Sequence, residues 1–325
     1  MVRVLFLFLI VLFTTTSTLH GSPLSTVANK DAKIVGGKPV PSDQFPWELS
    51  IGLAKNQRGN AAQRQQAQPL YKESTHHCDG VLLSPEWVMT AGHCGVDENT
   101  HQPLQPKDLL VGFQSKDLDQ VYDHGRLPVA EVIVHPQHRH GVSTSPNDIT
   151  LLRLATPFPN QQGINTGSTA TGGASAYACL PQPSRASPHY TGKLTSIGFG
   201  NTHALYYDLS GSKIVSGIQP SRYLKEIDVM DISDQSATNQ RSIYCRGRPD
   251  LICITALQDP DSTCQGDSGG SLIYQGNLVI GITSFGDNKN YDATRQVTCI
   301  GDTAYTRLSM QTEWIRSHVP SVCLR

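Results

Sequence analysis

The amino-acid sequence predicts an all-β protein built from two barrels, and three observations support this. Glycine (28 residues) and proline (20 residues) are abundant, whereas only 16% of the chain is charged, which is typical of short strands joined by turns. Short segments rich in β-branched residues and leucine recur between turn signals, which favours a barrel or a sandwich. A Gly/Ser/Thr-rich stretch, NQQGINTGSTATGGASA, divides these segments into two groups, as expected of a linker between two barrels.

The predicted strands follow one another along the chain on both sides of this linker. GVLLS and EWVMTA flank a Ser-Pro turn, and PVAEVIVHP and DITLLRL follow them. After the linker come KLTSIGFG, YLKEIDVMDI, GSLIY and LVIGITSFG. The convincing helix is the last element, over residues 309–319, where Trp314 and Ile315 belong to an apolar stripe and Ser309 is the predicted N-cap.

Charge and targeting signals indicate the compartment. The 26 lysine and arginine residues nearly balance the 27 aspartate and glutamate residues, so no field of one sign would draw the chain to nucleic acid or to an anionic membrane. Arg3 precedes an apolar run from Val4 to Phe13, which is too short for a membrane span. We interpret residues 1–21 as a cleaved secretory signal peptide, with a buried N-terminal helix or an uncleaved anchor as alternatives. The protein is therefore expected to be secreted and extracellular, with its eight cysteines in disulfides.

A candidate nucleophile lies in the stretch DSTCQGDSGG. A serine hydroxyl attacks a carbonyl group only when a base takes its proton, and neighbouring glycines allow backbone amides to approach a developing oxyanion. These requirements fit Ser268 as the nucleophile, with the amides of Gly266 and Ser268 as oxyanion donors. A glycine-rich hairpin is the alternative interpretation.

A base and its partner can be selected from the remaining motifs. Of the 12 histidines, His93 in VMTAGHC follows a strand and adjoins a cysteine, whereas His76, His77 and the HPQHRH group are expected in solvated loops. Asp148 begins an apolar strand, where a carboxylate needs a cationic or N–H partner. His93 is the natural partner, although Asp148 alone could also be a strand cap.

Four motifs now occur in a recognisable order: IVGG, TAGHC, NDITLLRL and GDSGG. On these residues the chain resembles the trypsin/chymotrypsin family of secreted serine endopeptidases, over residues 34 to about 319. The resemblance implies a protease domain at 34–325 with two packed six-stranded antiparallel β-barrels, at about 34–158 and 180–307, followed by the C-terminal helix.

The resemblance also implies roles for the residues already selected. Ser268 would attack the scissile carbonyl, His93 would transfer the proton, and Asp148 would hold the imidazole. The amides of Gly266 and Ser268 would bind the oxyanion. The TSFG segment would pair with an extended substrate backbone through Ser284, Phe285 and Gly286. No cofactor or metal is required, and a calcium loop cannot be assigned in GFQSKDLDQVYD.

Activation by proteolysis is implied at the start of this domain. Cleavage after Lys33 would remove a propeptide at 22–33 and free the α-amino group of Ile34, which would pair with Asp267. The implied partners are protein or peptide substrates, an activating trypsin-like protease and protein inhibitors, and the chain is expected to be a monomer. The resemblance implies disulfides Cys78–Cys94, Cys245–Cys253 and Cys264–Cys299, and it leaves Cys179 to join Cys323.

The primary specificity pocket is assigned by the same resemblance. Its base would be Ser262, and its walls Gly286 and Thr303, the latter in place of a commoner glycine. Such a neutral pocket predicts a preference for Leu, Met, Phe or Tyr before the scissile bond. A shift that brings Asp302 or Asp261 into the pocket would instead give a trypsin-like enzyme, and a catalytically inactive binding homologue is a further alternative.

Three segments are longer than the family pattern. They lie at 54–77, 201–221 and 286–299, and the last borders the specificity pocket. They are interpreted as surface loops that could restrict the access of large proteins.

Overall fold

The computed structural model describes twelve ranges of the chain: 34–41, 44–54, 74–113, 115–139, 145–159, 176–202, 206–208, 214–216, 221–233, 245–258, 261–290 and 295–325. The predicted signal peptide, the propeptide and most of the predicted linker lie outside these ranges. Among the described residues, no helix is both long enough and apolar enough to cross a membrane.

The first barrel is formed by six antiparallel strands. These are β2 (Glu48–Ala54), β3 (Ser74–Ser84), β4 (Trp87–Thr90), β5 (Leu109–Gly112), β6 (Arg126–Val134) and β7 (Thr150–Leu154). Their order around the barrel is β2-β3-β4-β7-β6-β5, and β5 pairs with β2 to close it. In β4 and β7, Val88 pairs with Leu152 and both side chains are fully buried, as apolar residues on a barrel interior should be.

The second barrel is also a closed ring of six antiparallel strands. These are β9 (Leu194–Gly198), β12 (Lys225–Asp231), β13 (Leu251–Ala256), β14 (Ser271–Gln275), β15 (Leu278–Asn290) and β16 (Arg295–Arg307). The ring runs β9-β12-β13-β16-β15-β14 and closes where β14 pairs with β9. The predicted fold of two six-stranded barrels is therefore confirmed.

Short strands extend the second sheet beyond the ring. They are β1 (Lys38–Pro39), which pairs with β12, the pair β10 (Tyr206–Asp208) and β11 (Ile214–Ser216), and the parallel strands β8 (Cys179–Leu180) and β17 (Cys323–Leu324).

The three segments interpreted as loops contain regular structure. The segment at 201–221 contains the β10–β11 pair, and the one at 286–299 contains the ends of β15 and β16, paired as far as Asn290 and Gln296. In the segment at 54–77, β3 already begins at Ser74, and residues 55–73 lie outside the description. The loop interpretation was therefore wrong for these parts, because backbone pairing with neighbouring strands extends them as sheet.

Two short α-helices are described. Helix α1 (Leu118–His124) was not predicted; Asp117 caps it by accepting the amide of Asp119 at 3.0 Å. The predicted helix at 309–319 is instead a 3-10 turn at Leu308–Met310 followed by α2 (Thr312–His318).

The prediction that Ser309 is the N-cap of the C-terminal helix is wrong. The N-cap is Gln311, whose side chain makes no capping hydrogen bond. The hydroxyl group of Thr312 donates to the carbonyl oxygens of Leu308 and Pro181, at 2.8 and 3.0 Å, and so joins the helix to the chain before it.

Four disulfides are present among the described residues, and they are the pairs implied by the resemblance: Cys78–Cys94, Cys179–Cys323, Cys245–Cys253 and Cys264–Cys299. The first lies beside His93, and the last closes the segment from the GDSGG loop to β16. The Cys179–Cys323 bond joins β8 to β17, so it fixes the C-terminal tail to the chain between the barrels.

Candidate active site

His93 and Asp148 are brought together by two paired strands. His93 lies in a short 3-10 turn, Gly92–Gly95, directly after β4, and Asp148 lies just before β7. Because Thr90 of β4 pairs with Thr150 of β7, the two strands hold both segments at the same end of the barrel. Nδ1 of His93 is 2.9 Å from Oδ2 of Asp148, and the amide of His93 donates to Oδ1 at 2.8 Å.

The residue before the histidine has to be a glycine. A Cβ atom on Gly92 would lie 2.8 Å from Oδ1 of Asp148, closer than real Cβ contacts occur. The small residues of TAGHC therefore allow the carboxylate to approach the backbone of the histidine turn.

The electrostatics of this pair favour an ionised aspartate beside a basic imidazole. Burial alone would raise the pKa of Asp148, but the charge of His93 and hydrogen bonds from His93 and Ser284 lower it to about 2. Burial opposes a charged His93, yet the charge and hydrogen bond of Asp148 raise its pKa above the ordinary value. The His93 side chain is 42% exposed, so substrate can reach it.

Ser284 contacts Asp148 in addition to its expected role in substrate binding, and the sequence did not predict this contact. Its hydroxyl group donates to Oδ2 of Asp148 at 2.5 Å, and Thr306 donates to the carbonyl oxygen of Asp148 at 3.0 Å. These bonds link the second barrel to the aspartate of the first. No local signal in the sequence connects residues 136 positions apart, so the contact could not have been derived from the motif.

The loop that carries Ser268 lies against the histidine segment. The carbonyl oxygen of Ser268 accepts the amide of Asp79 at 2.8 Å and lies 3.8 Å from Sγ of Cys94, the residue after His93. A Cβ atom on Gly269 would lie 2.3 Å from Oγ1 of Thr90, so glycine is required for this approach. The Ser268 hydroxyl makes no hydrogen bond to a residue in the described ranges.

The predicted oxyanion donors have suitable surroundings. Gly266 has φ +99°, a conformation that favours glycine, and its carbonyl oxygen lies 3.0 Å from Nε2 of His76. Within the described part of the chain, the amides of Gly266 and Ser268 donate to no protein acceptor. Both amides are therefore available to an incoming oxygen atom.

Asp267 is fully buried and held by backbone amides. Its Oδ1 accepts from Gly200 and its Oδ2 from Cys264, both at 2.7 Å. Burial raises the pKa of Asp267 to about 7, although these amides oppose the shift. Ile34 is fully buried as well, within the core of the second barrel, while Lys33 lies outside the described residues.

Several histidines expected in solvated loops are in fact buried or half-buried. His76 and His77 lie in β3, and burial lowers the pKa of each to about 4. The side chain of His138 is 3% exposed, and its Nε2 lies 3.7 Å from Oδ1 of Asp148. His135 packs against Trp314 of α2 with ring centroids 4.7 Å apart. The solvated interpretation was wrong for these four residues because tertiary packing covers them.

The residues assigned to the specificity pocket are close to one another. Oγ1 of Thr303 is 2.7 Å from Oγ1 of Thr263, and a Cβ atom on Gly286 would lie 3.9 Å from Oγ1 of Thr303. Ser262 is buried and donates to the carbonyl oxygen of Thr263 at 3.2 Å. Phe285 is partly buried and packs against the side cluster around the Cys245–Cys253 disulfide. Thr263 was not selected from the sequence.

The two aspartates of the alternative pocket alignment have different surroundings. The carboxylate of Asp261 crowds the Gly36 segment, where a Cβ atom would lie 1.8 Å from its Oδ1. Asp302 is buried and precedes Thr303 on β16, so the alternation of a strand directs it to the opposite face.

The one candidate metal cluster among the described residues is His77, Cys78 and Cys94. Because the two cysteines are joined in a disulfide, they have no thiolate to offer. This cluster is therefore not a metal centre.

Comparison with known proteins gives a consistent result. The family model described as Trypsin matches residues 34–315. The chain is 27% identical to serine protease 56 of Homo sapiens, covering 91% of this chain and 40% of that protein. It is 24% identical to granzyme M of Rattus norvegicus, covering 90% and 92%, and 23% identical to transmembrane protease serine 11C of Mus musculus, covering 90% and 55%.

A solved structure supports the fold. Human heparin binding protein matches with a TM-score of 0.59 at 20% identity, over 90% of this chain and 99% of that one. The chain spans about half or less of the length of several curated relatives, including serine protease 56 and the transmembrane protease. Because the family model covers most of the sequence, the chain belongs to the trypsin family of serine proteases.

Proposed function

We propose that this protein is a secreted serine endopeptidase that hydrolyses peptide bonds through Ser268, His93 and Asp148. The observation that carries the proposal is the 2.9 Å contact between His93 and Asp148, formed next to the loop of Ser268. The intact set of nucleophile, base and aspartate favours an enzyme over the alternative of an inactive binding homologue.

The chemistry follows from the position of each group. Oγ of Ser268 attacks the scissile carbonyl carbon as Nε2 of His93 takes its proton, and the amides of Gly266 and Ser268 bind the resulting oxyanion. Collapse of this intermediate breaks the C–N bond, and His93 gives the proton to the leaving amine. Water then attacks the acyl-enzyme by the same route. Asp148 holds the proton on Nδ1 of His93 and stabilises the imidazolium.

Activation requires a proteolytic cleavage in addition to removal of the signal peptide. Cleavage after Lys33 releases the α-amino group of Ile34, which pairs with Asp267 and orders the oxyanion loop. The buried position of Ile34 and the backbone pairing of Val35 with Ser262 support this step, because they hold the new terminus near the loop that ends in Asp267.

The pocket residues support specificity for apolar side chains. The paired hydroxyl groups of Thr263 and Thr303 close the pocket wall near Gly286, and Ser262 brings no charge. An arginine or lysine side chain would lose its hydration without gaining a counter-ion. Leucine and methionine fit this narrowed, neutral pocket best, followed by phenylalanine and tyrosine. The packing of Asp261 against the Gly36 segment argues against the trypsin-like alternative in which Asp261 enters the pocket.

Secretion is part of the proposal. The N-terminal basic residue and apolar run, together with four disulfides, fit a protein that matures in an oxidising compartment.

The direct test is casein cleavage by the chain cut after Lys33. The parent is expected to be active only after cutting, whereas Ser268→Ala should lose turnover by several orders of magnitude and keep its fold. Lys33→Gln is the matched control, which should stay an inactive zymogen in the presence of trypsin. Equal casein cleavage by Ser268→Ala and the parent would refute the proposed nucleophile.

A further inference from the structure

A buried carboxylate outside the catalytic residues, Asp79 of β3, lacks a full set of partners. Its side chain is 0% exposed, and Oδ2 accepts the amide of Phe199 at 3.0 Å. Oδ1 accepts no hydrogen bond from any residue that the structure describes. Nε2 of His76 is 3.8 Å from this oxygen but only 3.0 Å from the carbonyl oxygen of Gly266. A buried carboxylate oxygen in this state is costly unless a proton or a cation joins it.

The carboxylates of Asp79 and Asp267 both lie close to Gly198. A Cβ atom on Gly198 would lie 2.1 Å from Oδ1 of Asp267 and 2.6 Å from Oδ2 of Asp79. The glycine leaves no side chain to separate the two carboxylates. Since like charges at this proximity disfavour each other, the pair requires a positive charge in order to be fully ionised.

The buried carboxylates around this pair outnumber the lysines near them. The ammonium group of Lys116 donates to the carbonyl oxygens of Phe45 and Glu48, at 2.8 and 3.2 Å. Glu48 is itself a buried carboxylate, and both of its oxygens accept hydrogen bonds from Ser271. Burial lowers the pKa of His76 to about 4, so this imidazole is neutral at pH 7. Lys225 of β12, whose side chain is also fully buried, lies opposite Gly198 in the β9–β12 pairing. The described residues around this cluster therefore offer two lysines, Lys116 and Lys225, against the three buried carboxylates of Glu48, Asp79 and Asp267.

We propose that Asp79 and Asp267 together form the binding site for the ammonium group of Ile34 that cleavage after Lys33 creates. This inference rests on the proposed activation and adds Asp79 as a second counter-ion. Hydrolysis of the Lys33–Ile34 bond consumes one water and leaves a carboxylate on Lys33 and an amine on Ile34. The amine is protonated in solution below its ordinary pKa of about 8.

The described chain holds Ile34 close to this site. Its side chain packs in the same cluster as Leu194 and Leu272, from β9 and β14, and β9 ends at Gly198, the glycine between the two carboxylates. Ser262, which donates its amide to Val35 at 3.0 Å, begins the loop that ends in Asp267. A positive charge added at Ile34 would therefore enter a region with an excess of carboxylates.

Asp79→Asn tests the proposal, because asparagine keeps an oxygen for the amide of Phe199 but removes the charge. The experiment uses the full domain carrying Ser268→Ala, cut after Lys33, so that self-digestion does not interfere. The acetylation rate of the Ile34 amine by acetic anhydride is followed by mass spectrometry of the N-terminal peptide. We expect slow acetylation in this parent and acetylation about tenfold faster in Asp79→Asn, as for a fall of one unit in the pKa of the amine.

Glu48→Gln is the matched control. It also removes a buried carboxylate from the cluster, but one whose oxygens are already bonded to Ser271. Its acetylation rate should stay within about twofold of the parent, well below the tenfold effect expected of a lost counter-ion. An equal increase in Glu48→Gln would show a general loss of charge or packing and would overturn the specific role of Asp79.

Thermal unfolding separates a counter-ion from a structural residue. Asp79→Asn should keep or raise the Tm of the uncut chain, because it removes a like charge, and lower the Tm of the cut chain, because it removes a partner of the ammonium group. A fall of the same size in both forms would contradict the proposal.

Equal acetylation in Asp79→Asn and the parent would overturn the role of Asp79 alone, whereas rapid acetylation of the parent itself would overturn the activation step as well.

Discussion

Ser284 Oγ donates a hydrogen bond of 2.5 Å to Oδ2 of Asp148. The same oxygen is 2.9 Å from Nδ1 of His93, so one carboxylate oxygen receives a donor from each barrel. The other oxygen accepts the amide of His93. Asp148 is therefore held as an anion at the junction of the two barrels, and the orientation of His93 depends on residues that lie far apart in the sequence.

Loss of the Ser284 hydroxyl should weaken catalysis without unfolding the protein. A hydrogen bond to a charged group contributes about 1.5–3 kcal/mol, so Ser284→Ala should lower kcat/KM by about tenfold or more. Ser309→Ala is the control, because the buried Ser309 hydroxyl bonds to no side chain or backbone group in the described ranges. Indistinguishable kcat/KM values for the two variants would show that Ser284 does not support Asp148.

The pH dependence of kcat/KM should report His93. The imidazole acts as a base only when neutral, and Asp148 raises its pKa, so activity should increase with pH through a midpoint above the ordinary value of about 6.5. Asp148→Asn should lower the activity strongly and move the midpoint of the remainder downward, since the stabilising charge is lost. A parent midpoint below the ordinary histidine value would contradict the ionised pair.

The disulfide between Cys179 and Cys323 should contribute more stability than the one between Cys245 and Cys253. The first closes a separation of 144 residues and the second one of 8. The chain-entropy model gives about 5 and about 2.5 kcal/mol for loops of these lengths. Replacing each pair by alanines in the Ser268→Ala chain and measuring urea unfolding tests the order. A larger loss for the short loop would mean that native packing, rather than chain entropy, dominates.

Thr303 should limit the size of the primary pocket. Thr303→Gly removes the hydroxyl partner of Thr263 and the side chain facing Gly286, so phenylalanine and tyrosine anilides should gain about tenfold in kcat/KM relative to leucine. Thr263→Ser keeps a hydroxyl group and should change this ratio little. A parent enzyme that prefers an arginine anilide by tenfold or more would contradict the neutral pocket.

The extent to which the sequence predicted these features depends on how local each signal is. GDSGG, TAGHC and NDITLLRL each place one functional group within a few residues of the small or apolar residues that position it. The family resemblance then implied both barrels. The exact ends of the C-terminal helix were missed because Thr312 bonds to Leu308 and Pro181, contacts that a cap preference at Ser309 does not encode.

Contacts between distant strands could not be read from the sequence. His76 was expected in solvent because it lies in a polar stretch, yet Ser50 and Gly266 from two other segments surround it. Asp79 follows a cysteine in an ordinary strand pattern, and only the fold places it against Asp267. Such partners are set by barrel packing, which depends on pairs of residues far apart in the chain.

The central claim is that Ser268 is an activated nucleophile, and covalent labelling tests it most directly. The chain cut after Lys33 is treated with a fluorophosphonate, which reacts with a serine activated by a neighbouring base, and the labelled peptide is mapped by mass spectrometry. The account predicts one label per chain on Ser268, strong reduction of that label in His93→Ala, and little label before cutting. Absence of label on Ser268 in the cut parent, or equal labelling in His93→Ala, would contradict it.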